Sequence, residues 1–233
     1  MAIRYNSQIV KDGLVLHLDA ANPKSYPGSG TSWYDLSGNN KNFTWVSSPT
    51  FTAGAIPYFS TLNNRCTGPA SNSFGIDNTS GYTIFMHCMQ NALVNTAAFK
   101  FYSTVTYNRG IFAHCTWGDD VIYFDQGSCC GSDTRLSASS GGSQSWNLWT
   151  FRRTLSTERS IWKNGKSLTS TSVAPANISL NSTAVDVGST DEYGGNASTW
   201  NARLATFIVY NRGLTDSEIL QNANALKSRF GLT

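Results

Sequence analysis

The sequence predicts an all-β fold, two stacked antiparallel sheets with one α-helix at the C-terminal end. Three observations carry that prediction. Ser, Thr and Asn make up about a third of the 233 residues and accompany 20 Gly, the profile of many short strands joined by turns. Around a dozen short apolar or alternating runs recur at regular spacing between turn residues, the pattern of a sandwich. Glu occurs only three times, so a helical bundle or coiled coil lacks its usual material, and a single segment carries helix-start chemistry. With 40% hydrophobic residues the chain can build a core, which excludes disorder as its main state.

Taken in order, residues 1–12 read as a short polar arm. Leu14-Val15-Leu16-His17-Leu18 follows as a buried strand, stopped by Asp19 and the Asn22-Pro23 pair. A turn-rich segment runs to Asn40, and strand character resumes over residues 42–46. The run Tyr82-Thr83-Ile84-Phe85-Met86-His87-Cys88-Met89 is apolar on both alternating faces, as in a strand covered on each side. Residues 110–116 and 121–125 are separated by Trp117-Gly118-Asp119-Asp120, a hairpin loop. Strands continue over 135–138, 146–154 and 159–163. Asn164-Gly165 then predicts a type I′ turn, because both residues tolerate positive φ, leading into a strand at 166–170. Residues 185–188 and 204–210 complete the series. Thr215-Asp216-Ser217-Glu218 is a capping box, and Ile219, Ala223, Leu226 and Phe230 recur behind it at helical spacing, with Gly231 placed as the C′ residue. No linker divides the chain, so the expectation is one domain over 1–233: arm 1–12, sandwich 13–212, capped helix 213–233.

Charge and cysteine content narrow the class of protein. Only 13% of residues are charged and the net charge is +3, with no basic run, which argues against a nucleic-acid binder. No stretch approaches the length of an apolar membrane span. The opening Met1-Ala2-Ile3-Arg4-Tyr5 lacks the apolar core of a signal peptide, so the expected setting is a cytoplasm, with release by lysis. Cys66, Cys88, Cys115, Cys129 and Cys130 show neither a CxxC pair nor a Cys/His ladder, which argues against zinc. Free thiols in buried strands are the expectation, with a vicinal Cys129–Cys130 disulfide as the alternative. Asn-x-Ser/Thr patterns begin at Asn42, Asn78, Asn177, Asn181 and Asn196. In a chain this rich in Asn, Ser and Thr they are expected by chance.

Three segments carry a family resemblance. Gly13-Leu14-Val15-Leu16-His17-Leu18-Asp19-Ala20-Ala21-Asn22-Pro23 with Trp33-Tyr34-Asp35-Leu36-Ser37-Gly38-Asn39 resembles the opening of laminin G-like, concanavalin A-like domains of tailed-phage structural proteins. The centre, Ile122-Tyr123-Phe124-Asp125-Gln126-Gly127 with Arg135-Leu136, is similar to the same subset. So is the ending, Leu204-Ala205-Thr206-Phe207-Ile208-Val209-Tyr210-Asn211-Arg212-Gly213-Leu214-Thr215 and its helix. The resemblance implies an antiparallel jelly-roll β-sandwich of the concanavalin A-like type, a scaffold shared by lectins, glucanases, adhesins and virion proteins. Where many relatives carry a carboxylate-rich segment, this chain has Tyr58-Phe59-Ser60-Thr61-Leu62-Asn63-Asn64, which argues against a calcium site at that edge.

Hydrolysis of a glycosidic bond needs two carboxyl groups roughly 5–10 Å apart. Glu158 lies by a turn, Glu192 in a loop and Glu218 in the capping box, while Asp216 is explained by the helix N-terminus. Asp120 and Asp125, five apart, face opposite ways if both lie on one strand. No catalytic residue is assigned. His17, His87 and His114 fall in strands without a Gly-x-Ser-x-Gly elbow and read as core or interface histidines. No cofactor is expected. Asp35 and Asn39, in the loop with Ser37, Asn40 and Asn42, are the weak candidates for calcium, against a rival reading as ordinary turn residues.

Trp33, Tyr34, Trp117, Asp119, Asp120, Tyr123, Tyr193 and Trp200 are the candidate ligand or partner contacts. They set aromatic rings in or beside loops, some next to carboxylates, a combination that suits sugar stacking and protein–protein contact alike. Trp146, Trp149 and Trp162 are assigned to the core. The leading expectation is a non-enzymatic phage virion protein decorating the capsid or another exterior part. Its partners are other virion proteins (major capsid, tail or fibre components) or further copies of itself as a homo-oligomer, and the 2–11 arm serves as a tether to a neighbour. The alternative is a carbohydrate-binding adhesin recognising host surface glycans.

Overall fold

The computed structural model describes residues 8–77, 79–104, 110–127, 130–131, 133–154, 158–173, 177–188 and 200–230. Its strands, in chain order, are β1 (Leu14–Asp19), β2 (Ser32–Trp33), β3 (Phe43–Trp45), β4 (Thr50–Thr52), β5 (Tyr58–Ser60), β6 (Arg65–Ala70), β7 (Tyr82–Gln90) and β8 (Phe99–Phe101). They continue as β9 (Ile111–His114), β10 (Val121–Gln126), β11 (Arg135–Ser139), β12 (Asn147–Arg153), β13 (Arg159–Lys163), β14 (Lys166–Thr171), β15 (Ala184–Gly188) and β16 (Ala202–Tyr210), before helix α1 (Asp216–Phe230). All pairings are antiparallel. The first sheet runs β14-β13-β12-β7-β16-β5-β4 with β1 also on β16, and the second runs β11-β10-β9-β8-β15-β6-β3-β2. The protein is thus an antiparallel jelly-roll sandwich with a C-terminal helix: composition and spacing predict the sandwich and the helix, and the resemblance implies the jelly roll.

Strand alternation decides what lies between the sheets. Ile84, Met86 and Cys88 of β7 point into the inter-sheet core with Phe207 and Val209 of β16, against Phe99, Ala113 and Phe124 of the second sheet. The intervening Phe85 points the other way and packs with Leu148, Trp162, Ile208, Ile219, Ala223 and Leu226 beneath α1. The double-sided apolar pattern of β7 therefore has a physical cause: a helix covers the sheet's outer face. An aromatic cluster fills one end of the sandwich, where Trp33 and Trp45 lie 4.9 and 4.7 Å from the Phe59 ring.

The capping box forms as drawn from sequence. Thr215 N–H donates to Glu218 Oε2 at 2.8 Å, and Glu218 N–H returns to Thr215 Oγ1 at 3.3 Å. Arg212 clamps the same carboxylate through two nitrogens at 2.9 and 2.6 Å. The Asn164-Gly165 turn has φ of 52° and 80°, as a type I′ turn requires. The side chain of Phe230, and Gly231, lie outside the described residues, as do Asn78 and Asn196 of the Asn-x-Ser/Thr patterns.

The structure adds to or departs from the sequence reading at four points. Residues 8–10 of the arm are held by their own chain: Val10 N–H donates to Asn222 Oδ1 at 2.8 Å, Tyr210 hydroxyl to Val10 C=O at 2.8 Å, and Gln221 Nε2 to Gln8 C=O at 2.8 Å. That part of the arm packs against the helix of its own chain. Cys130 is disulfide-bonded, against the expected free thiol, whereas Cys66, Cys88 and Cys115 are free and buried as expected. Strands β2, β4, β5, β6 and β8 had no sequence prediction. In β6 the Gly68-Pro69 pair reads as a turn, yet Gly68 is there because the Phe43 ring lies over it; a Cβ would sit 2.2 Å from that ring. Trp146 is only half-buried, whereas Trp149 and Trp162 are in the core.

Candidate functional site

The loop joining β9 to β10 is built by its own polar side chains. Trp117 N–H donates to Val121 C=O and Asp120 N–H to Trp117 C=O, both at 3.0 Å, closing a tight turn. Asp120 occupies the left-handed region at φ 59°, which short polar side chains tolerate. Its Oδ1 accepts hydroxyls from Ser143 at 2.6 Å, Ser140 at 2.8 Å and Thr116 at 3.3 Å. Burial pushes the Asp120 carboxyl up, but these hydroxyls outweigh it and hold the group below its ordinary value. Asp120 is therefore a structural bracket in the loop where the sequence places it, outside strand β10.

Four of the sequence candidates meet at this corner. Asp119 is exposed, and its two oxygens accept Val121 N–H at 3.0 Å and the Tyr123 hydroxyl at 2.7 Å. The Asp119 carboxylate raises the Tyr123 phenol above its ordinary pKa, so the phenol keeps its proton. The half-buried Trp117 ring stands edge-on to His114 at 4.7 Å, and Asn95 Oδ1 pins Gly118 N–H at 3.0 Å. Arg135, from the neighbouring strand β11, lies 4.3 Å above the Tyr123 ring and grips Asp125 through two nitrogens at 2.7 and 2.6 Å. The result is two partly exposed aromatic rings framed by Asp119, Asn95 and Arg135 at the β11 edge of the second sheet.

Behind this corner, register explains a polar row. Thr67, Asp186, Lys100, Phe112, Asp125 and Arg135 are successive cross-strand partners over β6-β15-β8-β9-β10-β11, so all six side chains share the sheet's outer face. Asp125 is fully buried, with His114 Nε2 at 3.5 Å in addition to Arg135. Tyr102 hydroxyl donates to Asp186 Oδ2 at 2.7 Å, and Lys100 Nζ lies 4.6 Å from the Tyr102 ring. Asp125 and Asp186 stand three strands apart, about 14 Å at ordinary strand spacing. That exceeds the roughly 5–10 Å that a hydrolytic carboxylate pair spans. Elsewhere Glu158 and Asp216 both pair with Arg152, and Glu218 serves the helix cap. Glu192 lies outside the described residues.

The remaining candidates go elsewhere. Trp33 and Trp200 are fully buried, so their expected role as contact residues is corrected to core packing; their turn-rich neighbours in sequence conceal that their rings point inward. Tyr34 is 43% exposed but follows β2, at the opposite edge of the second sheet from β11. Tyr193 lies outside the described residues. Asp35 accepts four donors, His17 N–H (2.9 Å) and Ser37 N–H (2.8 Å) on Oδ1, Lys41 N–H (3.1 Å) and Ser37 hydroxyl (2.7 Å) on Oδ2. Asn39 Nδ2 donates to Leu14 C=O at 3.1 Å. These groups tie their loop to β1, and a cation at Asp35 would have to displace four donors. Among the described residues no three His, Cys, Asp or Glu side chains group as metal ligands. Arg135 and Asn95 were not among the sequence candidates. The 121–125 and 135–138 runs, read as a hairpin, place Arg135 opposite Asp125, a signal for the former; Asn95 has none.

The sequence matches no family model and no curated protein. Solved structures show the fold. The binding domain of Paraclostridial mosquitocidal protein 1 superposes with a TM-score of 0.69 at 18% identity, over 92% of this chain and 52% of that one. The binding domain of botulinum neurotoxin DC in complex with SialylT gives 0.68 at 15% identity, over 93% and 52%. Trypanosoma rangeli sialidase in complex with sialic acid gives 0.66 at 12% identity, over 95% and 34%. The chain thus spans about half the length of the toxin domains it resembles.

Proposed function

We propose that the protein is a non-enzymatic carbohydrate-binding module, with the Trp117–Tyr123 corner as its sugar platform. The observation that carries this reading is the pairing of two partly exposed aromatic rings with fixed polar groups. A pyranose presents an apolar face to a ring and hydroxyls at its rim, and Asp119, Asn95 and Arg135 surround the rings with acceptors and donors already oriented. The named neighbours support it: one is a toxin binding domain in complex with SialylT and another a sialidase in complex with sialic acid. A glycan array spanning sialylated, sulfated and neutral sugars tests it, with Trp117→Ala beside the parent protein. Binding of at least one glycan class, lost at least about tenfold in the variant at unchanged melting temperature, supports the proposal. No binding to any class, or equal binding by the variant, contradicts it.

A second reading follows from the same residues, because Trp, Tyr and Arg also dominate protein–protein hot spots. On that reading the corner docks the sandwich onto other subunits of a virion exterior. Incorporation of the parent protein into particles, with Trp117→Ala excluded, favours it over the glycan reading.

A further inference from the structure

Two of the free cysteines meet across the sandwich. Cys88 lies on the inner face of β7 in the first sheet, and Cys115 directly follows β9 in the second. Both are 1% exposed and belong to the inter-sheet core. The two thiols are near enough to interact, and the Cys88 thiol adds to burial in pushing the Cys115 thiol up. The segments that carry them are clamped together one step further on. Gln90, two residues along β7, accepts the Thr116 N–H and hydroxyl on Oε1 and donates Nε2 to Thr116 C=O at 3.1 Å. Cys66 lies apart, on β6, three strands from β9 in the second sheet, with its sulfur 3.6 Å from Val187 C=O.

We propose that Cys88 and Cys115 are a dithiol poised to close into a cross-sheet disulfide when the protein meets a small-molecule disulfide such as oxidised glutathione. One thiolate attacks the glutathione disulfide, forming a mixed disulfide and releasing one glutathione. The second thiolate then displaces the other glutathione as the Cys88–Cys115 bond forms. Two protein thiols are oxidised, one glutathione disulfide is reduced to two thiols, and the two protons pass to the departing glutathiones. Burial keeps the pair inert in the closed sandwich, so exchange proceeds through local opening at the β9–β10 loop or during folding. The cross-link ties one sheet to the other and shortens the chain's reach when unfolded, so the oxidised form melts higher.

The full chain, oxidised natively and also refolded from denaturant in a glutathione redox buffer, is digested without reduction and mapped by mass spectrometry. A Cys88–Cys115 linked peptide in either sample, retained in Cys66→Ala and accompanied by a raised melting temperature that reductant reverses, is the expected result. Full alkylation of both thiols after both treatments would overturn the proposal. So would glutathione mixed disulfides without the linked peptide, or pairing of either cysteine with Cys66.

Discussion

Arg135 reaches two neighbours from one strand position, a π-face above and a buried carboxylate beside it. The Tyr123 contact lies toward solvent, whereas Asp125 has no exposure at all. Removing the guanidinium leaves a buried carboxylate without its bidentate ion-pair partner, so Arg135→Ala should lose about 3 kcal/mol in urea unfolding. A loss below about 1 kcal/mol would mean that Asp125 is satisfied in another way. The buried histidines set a pH dependence of known sign. Burial pushes His87 down to about 3, and burial with the Lys11 and Arg229 charges pushes His17 down to about 4. Both therefore stay neutral in the native state while the unfolded chain takes up protons below about 6.5. Their stability contribution is complete above that pH and falls as the pH drops, each by about 1.4 kcal/mol per pH unit well inside its window. His87→Phe keeps an aromatic partner for Trp146, whose ring stacks at 4.8 Å, and should halve the histidine part of that loss between pH 6 and 4 in chemical unfolding. An unchanged profile would show that His87 is charged or already accessible in the native state.

At the scale of elements, α1 is held by its cap, its apolar stripe and one buried amide. Asn222 is fully buried, joins Val10 N–H and donates to the Tyr210 hydroxyl at 3.0 Å. Asn222→Ala leaves Val10 N–H unsatisfied and should cost about 1–3 kcal/mol, read as a lower urea midpoint, with faster amide exchange in residues 8–11. Unaltered exchange there would place the arm's attachment elsewhere. The Arg212 clamp, against the opposing effect of burial, holds the Glu218 carboxyl down at about 2, so its stabilisation is present above about 4.5 and is lost as the pH falls toward 2. Glu218→Gln should flatten the thermal stability profile in that window. The start and apolar stripe of this helix through Leu226 were legible in the sequence, because capping and helical spacing are local. The long strands were legible for the same reason. Short strands such as β4, β5 and β8 were not, since three residues carry no period, and β6 hides behind a Gly that only Phe43 explains. Most of the candidate corner was readable from Trp117, Asp119, Asp120 and Tyr123. Arg135 and Asn95 come from other segments, and inward-facing Trp33 and Trp200 look no different in sequence from outward-facing Trp117.

The whole molecule divides its labour between two sheets. The first is sealed on its outer face by α1 with Ile9 and Val10. The second keeps its outer face polar, lined by residues whose charges are already paired, and ends at β11 beside the Trp117 loop. A rigid sandwich that presents preorganised aromatic rings at one edge loses little conformational freedom on binding, which favours recognition of a weakly sticking ligand such as a sugar. Titrating an array-selected glycan into isotope-labelled protein, followed by NMR, tests that assignment most directly. The largest shifts are expected at the Trp117 indole, Gly118, Asp119 and Tyr123, with smaller ones at Asn95 and Arg135. Shifts centred on the Tyr34 edge or on the helix face, with the Trp117 loop unmoved, would contradict it.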